Sequence, residues 1–199
     1  MAACIIVDAG NVREESSNYV SENLIFQDWN ITEQATGLLT LSPGISYSRN
    51  EITAEICYRA DDMSNTYSRV FETAGLSFGL SKSSGDLGQN ADYTINPFFT
   101  AEPSGDEIKE PIDNLCFGDV HTFTVRRVQG LSTGYLDGIT IGTFSSTTTS
   151  FNSPSIYFMQ GSVTGRITQG TWFNVRIYDR SLSNAEILQN YNEDVRLYR

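Results

Sequence analysis

The sequence predicts an all-β sandwich of antiparallel strands. Apolar residues alternate with polar ones in many short segments, which is the period of half-buried strands. Turn-forming residues separate these segments at short, regular intervals. At 199 residues the chain fits one domain, because β-sandwiches of about 200 residues commonly share a single core. We therefore expect one domain over residues 1–199, with one helix near its end.

The first half of the chain offers five strands. Residues 51–60 alternate most regularly, with four apolar side chains on one face: Ile52, Ala54, Ile56 and Tyr58. Residues 67–81 read as two strands broken at Gly75, because an isolated glycine interrupts the strand pattern. The other two segments are residues 4–9 and 35–43.

The second half continues the pattern. Residues 121–128 place His121, Phe123 and Val125 on one side. Residues 134–144 predict a hairpin, because Asp137-Gly138 suits a type I′ turn, in which both central residues have positive φ. Residues 155–160 and 171–179 complete the set.

Residues 81–115 differ from the rest. They are rich in Gly, Ser and Pro and contain a cluster of acidic residues. Long irregular insertions in compact domains are often functional. We expect an irregular insertion here, with Phe98 and Phe99 as apolar anchors of the principal partner contact.

The single helix begins after Ser183. A serine hydroxyl caps the first turn, and Glu186 three residues later completes a capping box. Leu182 and Ile187 form a hydrophobic staple. The spacing predicts that the helix packs through one apolar stripe and turns three polar residues to water. The stripe is Ile187, Leu188 and Tyr191, and the polar residues are Gln189, Asn190 and Glu193.

The excess of acidic residues argues against nucleic acid and anionic membranes as partners. The chain has 24 acidic and 13 basic residues, for a formal net charge of −11. The electrostatic field of this negative charge repels nucleic acid and anionic membranes. The one adjacent basic pair, Arg126-Arg127, forms no basic patch, because its side chains point to opposite faces of a strand. The N-terminus has no basic region before its short apolar run, so no signal peptide is expected.

The three cysteines are Cys4, Cys57 and Cys116. They are sparse, and their spacing is not that of a disulfide framework or a zinc site. We expect buried free thiols, with a single bridge between two of them as the alternative.

Three segments of the chain carry a family resemblance. The first is the hairpin, with Tyr135, Asp137 and Gly138. The second is a strand-turn-helix ending, formed by Arg176, Ile177, Tyr178, Arg180, Leu182, Ser183, Glu186 and Ile187. The third is residues 51–75, which look like an early core strand and its partner. Through these segments most of the chain resembles the laminin-G-like, concanavalin A-like jelly-roll family. The resemblance implies a jelly-roll sandwich whose short C-terminal helix plugs one side.

No catalytic motif is found. Glycosidases of this fold present paired carboxylates as E-x-D-x-x-E on one strand, and the chain lacks that string. His121, the only histidine, stands beside Asp119 with no nucleophile-elbow sequence nearby. We expect a protein that is not an enzyme.

Two sets of residues are candidates for ligand binding. Loop aromatics can stack on a sugar ring, although each can equally belong to the core. These are Trp29, Tyr67, Tyr93, Phe98 and Phe99. The resemblance implies calcium binding through loop carboxylates, whose alternative role is to keep the surface soluble. These are Asp61, Asp62, Asp106, Glu107 and Asp113.

The expected function is recognition or decoration. The resemblance, together with the missing export signal, points to a capsid- or tail-associated protein of a phage virion, made in the host cytoplasm. Its partners would be a glycan or protein on a cell or particle, capsid or fibre subunits, or further copies of itself. The alternative is an extracellular carbohydrate-binding lectin domain excised from a larger protein.

Overall fold

The computed structural model describes most of the predicted elements. The residues described are 5–6, 19–20, 24–29, 37–47, 51–63, 67–73, 76–82, 95–100, 108–109, 118–145, 151–159 and 165–199. They form thirteen strands and one helix. The elements are β1 (Ile5–Ile6), β2 (Leu24–Trp29), β3 (Gly37–Tyr47), β4 (Glu51–Met63), β5 (Tyr67–Thr73), β6 (Leu76–Lys82), β7 (Ile95–Thr100), β8 (Ile108–Lys109), β9 (Val120–Val128), β10 (Leu131–Leu136), β11 (Ile139–Ser145), β12 (Phe151–Phe158), β13 (Thr168–Tyr178) and α1 (Asn184–Tyr198).

The strands form two sheets. The seven-stranded sheet has the order β1-β2-β13-β4-β9-β10-β11, and the six-stranded sheet has the order β3-β12-β5-β6-β7-β8. β1 runs parallel to β2, and the other strand pairs are antiparallel. This is an antiparallel jelly-roll sandwich with a C-terminal helix, so the predicted fold class is confirmed.

The core lies between the two sheets. The predicted apolar face of β4 is buried there, and Ile52 and Ile56 are almost fully enclosed. Phe78 of the six-stranded sheet stacks on Phe123 of the seven-stranded sheet, with ring centroids 3.6 Å apart. Burial of an aromatic side chain contributes about 1.5–3 kcal/mol, so this contact helps hold the sheets together.

The opposite face of the seven-stranded sheet is buried as well. Thr53, Glu55 and Cys57 alternate with the core residues of β4, and each is at most 1% exposed. Helix α1 forms hydrogen bonds to this face, and residues 19–20 form hydrogen bonds to the helix. A strand buried on both faces needs partners for its polar side chains, which sets the chemistry of this layer.

Several local predictions are confirmed. Asp137 has φ 52° and Gly138 has φ 76°, as a type I′ turn requires. Residues 67–81 are two strands separated near Gly75. Cys57 is a buried free thiol, whereas Cys4 and Cys116 lie outside the described residues.

In the described part of the chain, no helix is long and apolar enough to cross a membrane.

The strand prediction is incomplete in two places. β2 was not predicted. β7 and β8 lie inside residues 81–115, so the prediction of an irregular insertion is wrong for residues 95–100 and 108–109. Pro97 obscures the alternation of β7, yet the strand pairs with β6 along its whole length. Pairing with a formed sheet outweighs this weak local propensity.

The helix start is confirmed in detail. The Ser183 hydroxyl accepts a hydrogen bond from the Glu186 N–H at 3.3 Å, and the Ser183 N–H donates to the Glu186 carboxylate at 2.7 Å. Leu182 and Ile187 are buried together in one apolar cluster. Capping box and staple therefore determine where α1 begins.

The predicted apolar stripe of the helix is only partly correct. Leu188 is 46% exposed, whereas Asn190 is fully buried and Glu193 is 4% exposed. The sheet face beneath the helix carries charged and polar groups. The polar face of the helix turns toward it, because polar side chains can form hydrogen bonds there and Leu188 cannot. The prediction that Leu188 packs inward and that Asn190 and Glu193 face water is wrong.

Two neighbouring substitutions test this orientation. Ile187→Ala should lower the free energy of unfolding by about 2–4 kcal/mol, because it leaves a cavity in a closed cluster. Leu188→Ala should cost less than about 1 kcal/mol, because much of that side chain already contacts water. Chemical denaturation measures both values, and equal losses would contradict the observed helix orientation.

Candidate functional site

One end of the sandwich gathers strand ends from both sheets. We call it the hairpin end, because the β10–β11 hairpin turns there at Asp137 and Gly138. Met63 pairs with Thr168 at this end, and only three residues separate Met63 from the start of β5. Lys82 pairs with Ile95 across β6 and β7. Trp29 of β2, Val120 of β9 and Phe158 of β12 are strand ends there as well.

Two of the predicted aromatic residues lie at this end. Trp29 is the last residue of β2, in register with Asn174, and Tyr67 is the first residue of β5. The structure describes only their backbone. Tyr93 lies outside the described residues, in the segment that joins Lys82 to Ile95.

The other two predicted aromatics occupy the middle of a sheet. Phe98 pairs with Gly79, and Phe99 pairs with Phe78. β8 flanks them on the other side. The prediction that they belong to an irregular loop is therefore wrong, because both are strand residues with neighbours on each side.

The predicted calcium carboxylates are only partly described. Asp61 and Asp62 are exposed near the hairpin end of β4, and the Arg59 Nε atom donates to the Asp61 carboxylate at 2.9 Å. Asp106, Glu107 and Asp113 lie outside the described residues. Among the residues that the structure does describe, no group of three or more His, Cys, Asp and Glu side chains could hold a metal ion.

A β-bulge sets the position of Asp61. Gln169 of β13 pairs with Asp62 and Gly170 pairs with Ala60, so Asp61 has no opposite residue. Gly170 has φ +148° and passes so close to β4 that an added Cβ would lie 2.0 Å from the Arg59 carbonyl oxygen. Bulges re-aim side chains at sheet ends, and here a glycine permits the close approach.

Asp137 links the hairpin to the rest of this end. Its carboxylate accepts from the Thr122 N–H, and it lies 2.9 Å from His121 Nδ1 and 2.9 Å from Arg199 Nη2. Burial alone would raise the pKa of Asp137, but these hydrogen bonds hold that pKa below its ordinary value. The ionised carboxylate therefore fastens the hairpin to β9 and to the end of α1.

The sequence associated His121 with the wrong acid. Asp119 is exposed, and the partner of His121 is Asp137. The hairpin brings the two residues together, because β9 and β10 pair in register next to them. His121 Nε2 is buried and has no hydrogen-bond partner among the described residues. The contact between His121 and Asp137 joins the start of β9 to the hairpin turn.

A buried ionic cluster lies between the sheet and α1. The Arg176 guanidinium donates to Glu55 through Nε at 2.8 Å. Two further bonds of 2.8 Å join its Nη atoms to the Asp194 carboxylate. All three side chains are at most 1% exposed. The guanidinium also lies over the Tyr19 ring, 4.3 Å from its centroid.

Neutral groups complete this cluster. Asn190 donates to Glu55 at 2.7 Å and accepts from the Val20 N–H at 2.9 Å. Thr124 donates to Glu55, and Tyr19 donates to Asp194 at 2.6 Å. Burial raises the pKa of Glu55, which Arg176 only partly offsets. Burial would lower the pKa of Arg176, but Asp194 and Glu55 raise it well above its ordinary value.

The sequence did not reveal this cluster as a unit. Arg176 was identified only as part of the family motif, and Asn190 was expected to face water. The available signal was Glu55, a charged residue between the apolar residues Ala54 and Ile56 in the middle of β4, which implies a buried partner. Its hydrogen bonds and ion pairs attach α1 to the seven-stranded sheet.

The fold is a concanavalin A-like β-sandwich. The candidate site lies at its hairpin end, where strand ends from both sheets meet. No protein-family model and no curated protein sequence matches the chain.

Several solved structures do resemble it. The binding domain of botulinum neurotoxin DC, solved in complex with rat synaptotagmin II, has a TM-score of 0.56 at 13% identity, covering 84% of this chain and 46% of that chain. The binding domain of botulinum neurotoxin serotype D/C has a TM-score of 0.54 at 16% identity, covering 80% and 40%. Trypanosoma rangeli sialidase has a TM-score of 0.51 at 16% identity, covering 71% and 22%. The chain spans less than half of each, and at these identities the similarity establishes the fold alone.

Proposed function

We propose that this chain is a non-catalytic recognition module that binds a glycan or a protein at the hairpin end of the sandwich. The observation that carries the proposal is the convergence of predicted ligand residues there. Trp29, Tyr67, Asp61 and Asp62 come from three different strands and reach the same end. Strand ends positioned by a rigid sandwich are a common location for binding residues.

The chemistry of these residues suits a glycan. An aromatic ring can cover the apolar face of a sugar, and carboxylates accept hydrogen bonds from its hydroxyl groups. The same residues suit a protein ligand, since aromatic anchors surrounded by polar groups are typical of protein interfaces. The neurotoxin domain of similar fold was solved in complex with rat synaptotagmin II, which supports the second possibility.

We further propose that the module belongs to the surface of a phage virion, attached to the capsid or tail. Support comes from the family resemblance of residues 171–192. An excised extracellular lectin domain is the second candidate. It is favoured by the positions of Trp29 and Tyr67 at the hairpin end, because aromatic rings suit sugar binding.

Two loop replacements test the location of the site. Residues 83–94 connect paired strand ends at the hairpin end, and residues 101–107 connect β7 to β8 at the opposite end. Each segment is replaced by Gly-Ser-Gly-Ser, which can close an antiparallel pair. We expect the first replacement to abolish binding to a glycan array and to intact bacterial cells, and the second to leave it unchanged.

Circular dichroism of both variants verifies folding. Binding that survives the first replacement and disappears with the second would move the site to the opposite end and contradict the proposal. A wild-type chain that binds neither the glycans nor the cells would contradict the recognition function itself.

Calcium binding remains a prediction and has its own test. If Asp61 and Asp62 are ligands, calorimetric titration should show calcium binding with a Kd of about 10⁻⁴–10⁻³ M, the range of extracellular modules. The Asp61→Asn, Asp62→Asn double variant should weaken that binding at least about tenfold, since each substitution removes a charged oxygen ligand. Glu51→Gln, an exposed change at the opposite end of β4, is the control. Unchanged affinity in the double variant would remove these residues from any calcium site.

A further inference from the structure

Two buried polar atoms near the hairpin end have no hydrogen-bond partner among the described residues. They are the Tyr58 hydroxyl oxygen and His121 Nε2. Their residues lie directly opposite one another, Tyr58 on β4 and His121 on β9. Buried polar atoms are normally hydrogen-bonded, because an atom that loses water without gaining a partner destabilises the fold. Two such atoms on paired residues therefore call for an explanation other than stability.

Both rings belong to the face of the seven-stranded sheet that packs on the six-stranded sheet. The Tyr58 ring meets Phe78 of β6 edge-on, with centroids 5.7 Å apart, and the His121 ring lies 6.2 Å from the Tyr58 ring. Tyr58 is 1% exposed, whereas the His121 side chain is 13% exposed. Because His121 is the second residue of β9, the pair lies where the core meets the hairpin end.

Asp137 fixes the hydrogen-bonding role of His121 Nε2. The Asp137 carboxylate lies 2.9 Å from His121 Nδ1 and can only accept, so Nδ1 carries the proton of the neutral ring. Nε2 then presents a lone pair. The Tyr58 hydroxyl keeps its proton, because burial raises its pKa, and it can donate. The pair therefore offers one acceptor and one donor side by side.

We propose that Tyr58 and His121 form a subsite for one hydroxyl group of a glycan bound at the hairpin end. A hydroxyl group can donate to Nε2 while it accepts from the Tyr58 hydroxyl, whereas a carboxylate has no proton to give and an ammonium group cannot accept. Such a subsite discriminates against a ligand that lacks the hydroxyl, because both protein atoms then stay buried without a partner. The inference rests on the proposed function and specifies its ligand as a glycan.

Tyr58→Phe tests the subsite, because it removes only the hydroxyl group. Binding is measured with the glycan that the wild type binds most tightly on the array, and with analogues in which each hydroxyl in turn is replaced by hydrogen. We expect Tyr58→Phe to weaken binding of the intact glycan at least about fivefold, the effect of losing one hydrogen bond. One deoxy analogue should bind the wild type weakly and lose no further affinity with Tyr58→Phe, because both changes remove the same bond.

His121→Asn tests the other half of the subsite. The asparagine amide can still donate to Asp137, as Nδ1 does, but it has no atom at the position of Nε2. This variant should weaken binding of the intact glycan by a similar factor, and the deoxy analogue that is insensitive to Tyr58→Phe should be insensitive to His121→Asn as well.

Stability in the absence of glycan supplies a second measurement. Tyr58→Phe removes a buried hydroxyl that has no partner, so the midpoint of chemical denaturation should stay the same or rise. Ser132→Ala is the matched control. The Ser132 hydroxyl is also buried without a partner among the residues described, but Ser132 pairs with Arg127 near the other end of β9. Ser132→Ala should likewise not lower the midpoint, and it should leave glycan binding unchanged.

The outcomes separate the subsite from the proposed function. A wild-type chain that binds intact bacterial cells but no glycan of the array would overturn the subsite and retain the recognition module. Glycan binding that Tyr58→Phe leaves intact, while replacement of residues 83–94 abolishes it, would do the same. A lower denaturation midpoint for Tyr58→Phe would show that the hydroxyl is structural and would also overturn the subsite. A wild-type chain that binds neither glycans nor cells would remove both.

Discussion

Arg176→Met should lower the free energy of unfolding by about 3–5 kcal/mol, the cost of removing one partner from a buried ion pair. The substitution keeps the volume of the side chain approximately constant but removes the positive charge. Glu55 and Asp194 would remain at most 1% exposed without a cation between them. Chemical denaturation at neutral pH measures the loss.

A partly exposed arginine provides the comparison. Arg180 forms a bidentate pair with Glu186, but the two side chains are 18% and 27% exposed. Pairs that contact water contribute about 0–1 kcal/mol, so Arg180→Met should be nearly neutral. Equal losses for Arg176→Met and Arg180→Met would show that the buried cluster does not hold α1 to the sheet.

The pH dependence of the Arg176→Met variant follows from the same cluster. Without the guanidinium, Glu55 loses the group that opposes the effect of burial, so its folded-state pKa rises further. A carboxyl group whose pKa is higher in the folded than in the unfolded state stabilises the fold increasingly as pH falls. The variant should therefore regain stability between neutral pH and the ordinary glutamate pKa of 4.5.

Gly170→Ala should cause the second large loss of stability, about 2–6 kcal/mol. Its φ of +148° is strained for any residue with a Cβ, which costs about 1–3 kcal/mol. The added methyl group would also lie 2.0 Å from the Arg59 carbonyl oxygen. Because that atom belongs to the backbone, β4 and β13 must move apart, at a further cost of about 1–3 kcal/mol.

Gly118→Ala separates the two contributions. Gly118 also has a positive φ, +91°, but apart from its chain neighbours no atom of the described residues lies within 4 Å of the position its Cβ would take. This variant should show only the conformational strain, about 1–3 kcal/mol. If Gly170→Ala proved no more destabilising than Gly118→Ala in thermal and chemical denaturation, the close approach of the strands at the Asp61 bulge would be wrong.

The sequence by itself determined the features that depend on neighbours along the chain. The type I′ turn at Asp137-Gly138 was predictable because few residues tolerate two successive positive φ angles. The start of α1 at Ser183 was predictable because a cap needs only the hydroxyl and a glutamate three residues later. The alternation of β4 identified its core face. Each of these signals is local, so its physical cause lies in a few consecutive residues.

Only the tertiary structure decided which residues meet across the fold. Asn190 turns inward because Glu55 and Tyr178 bond to it, and both are distant in the sequence. His121 meets Asp137 because β9 and β10 pair in register. β7 becomes a strand because it pairs with β6 despite Pro97. Strand pairing and the burial of charge link residues far apart along the chain, so their energies act only once the two sheets and the helix have come together.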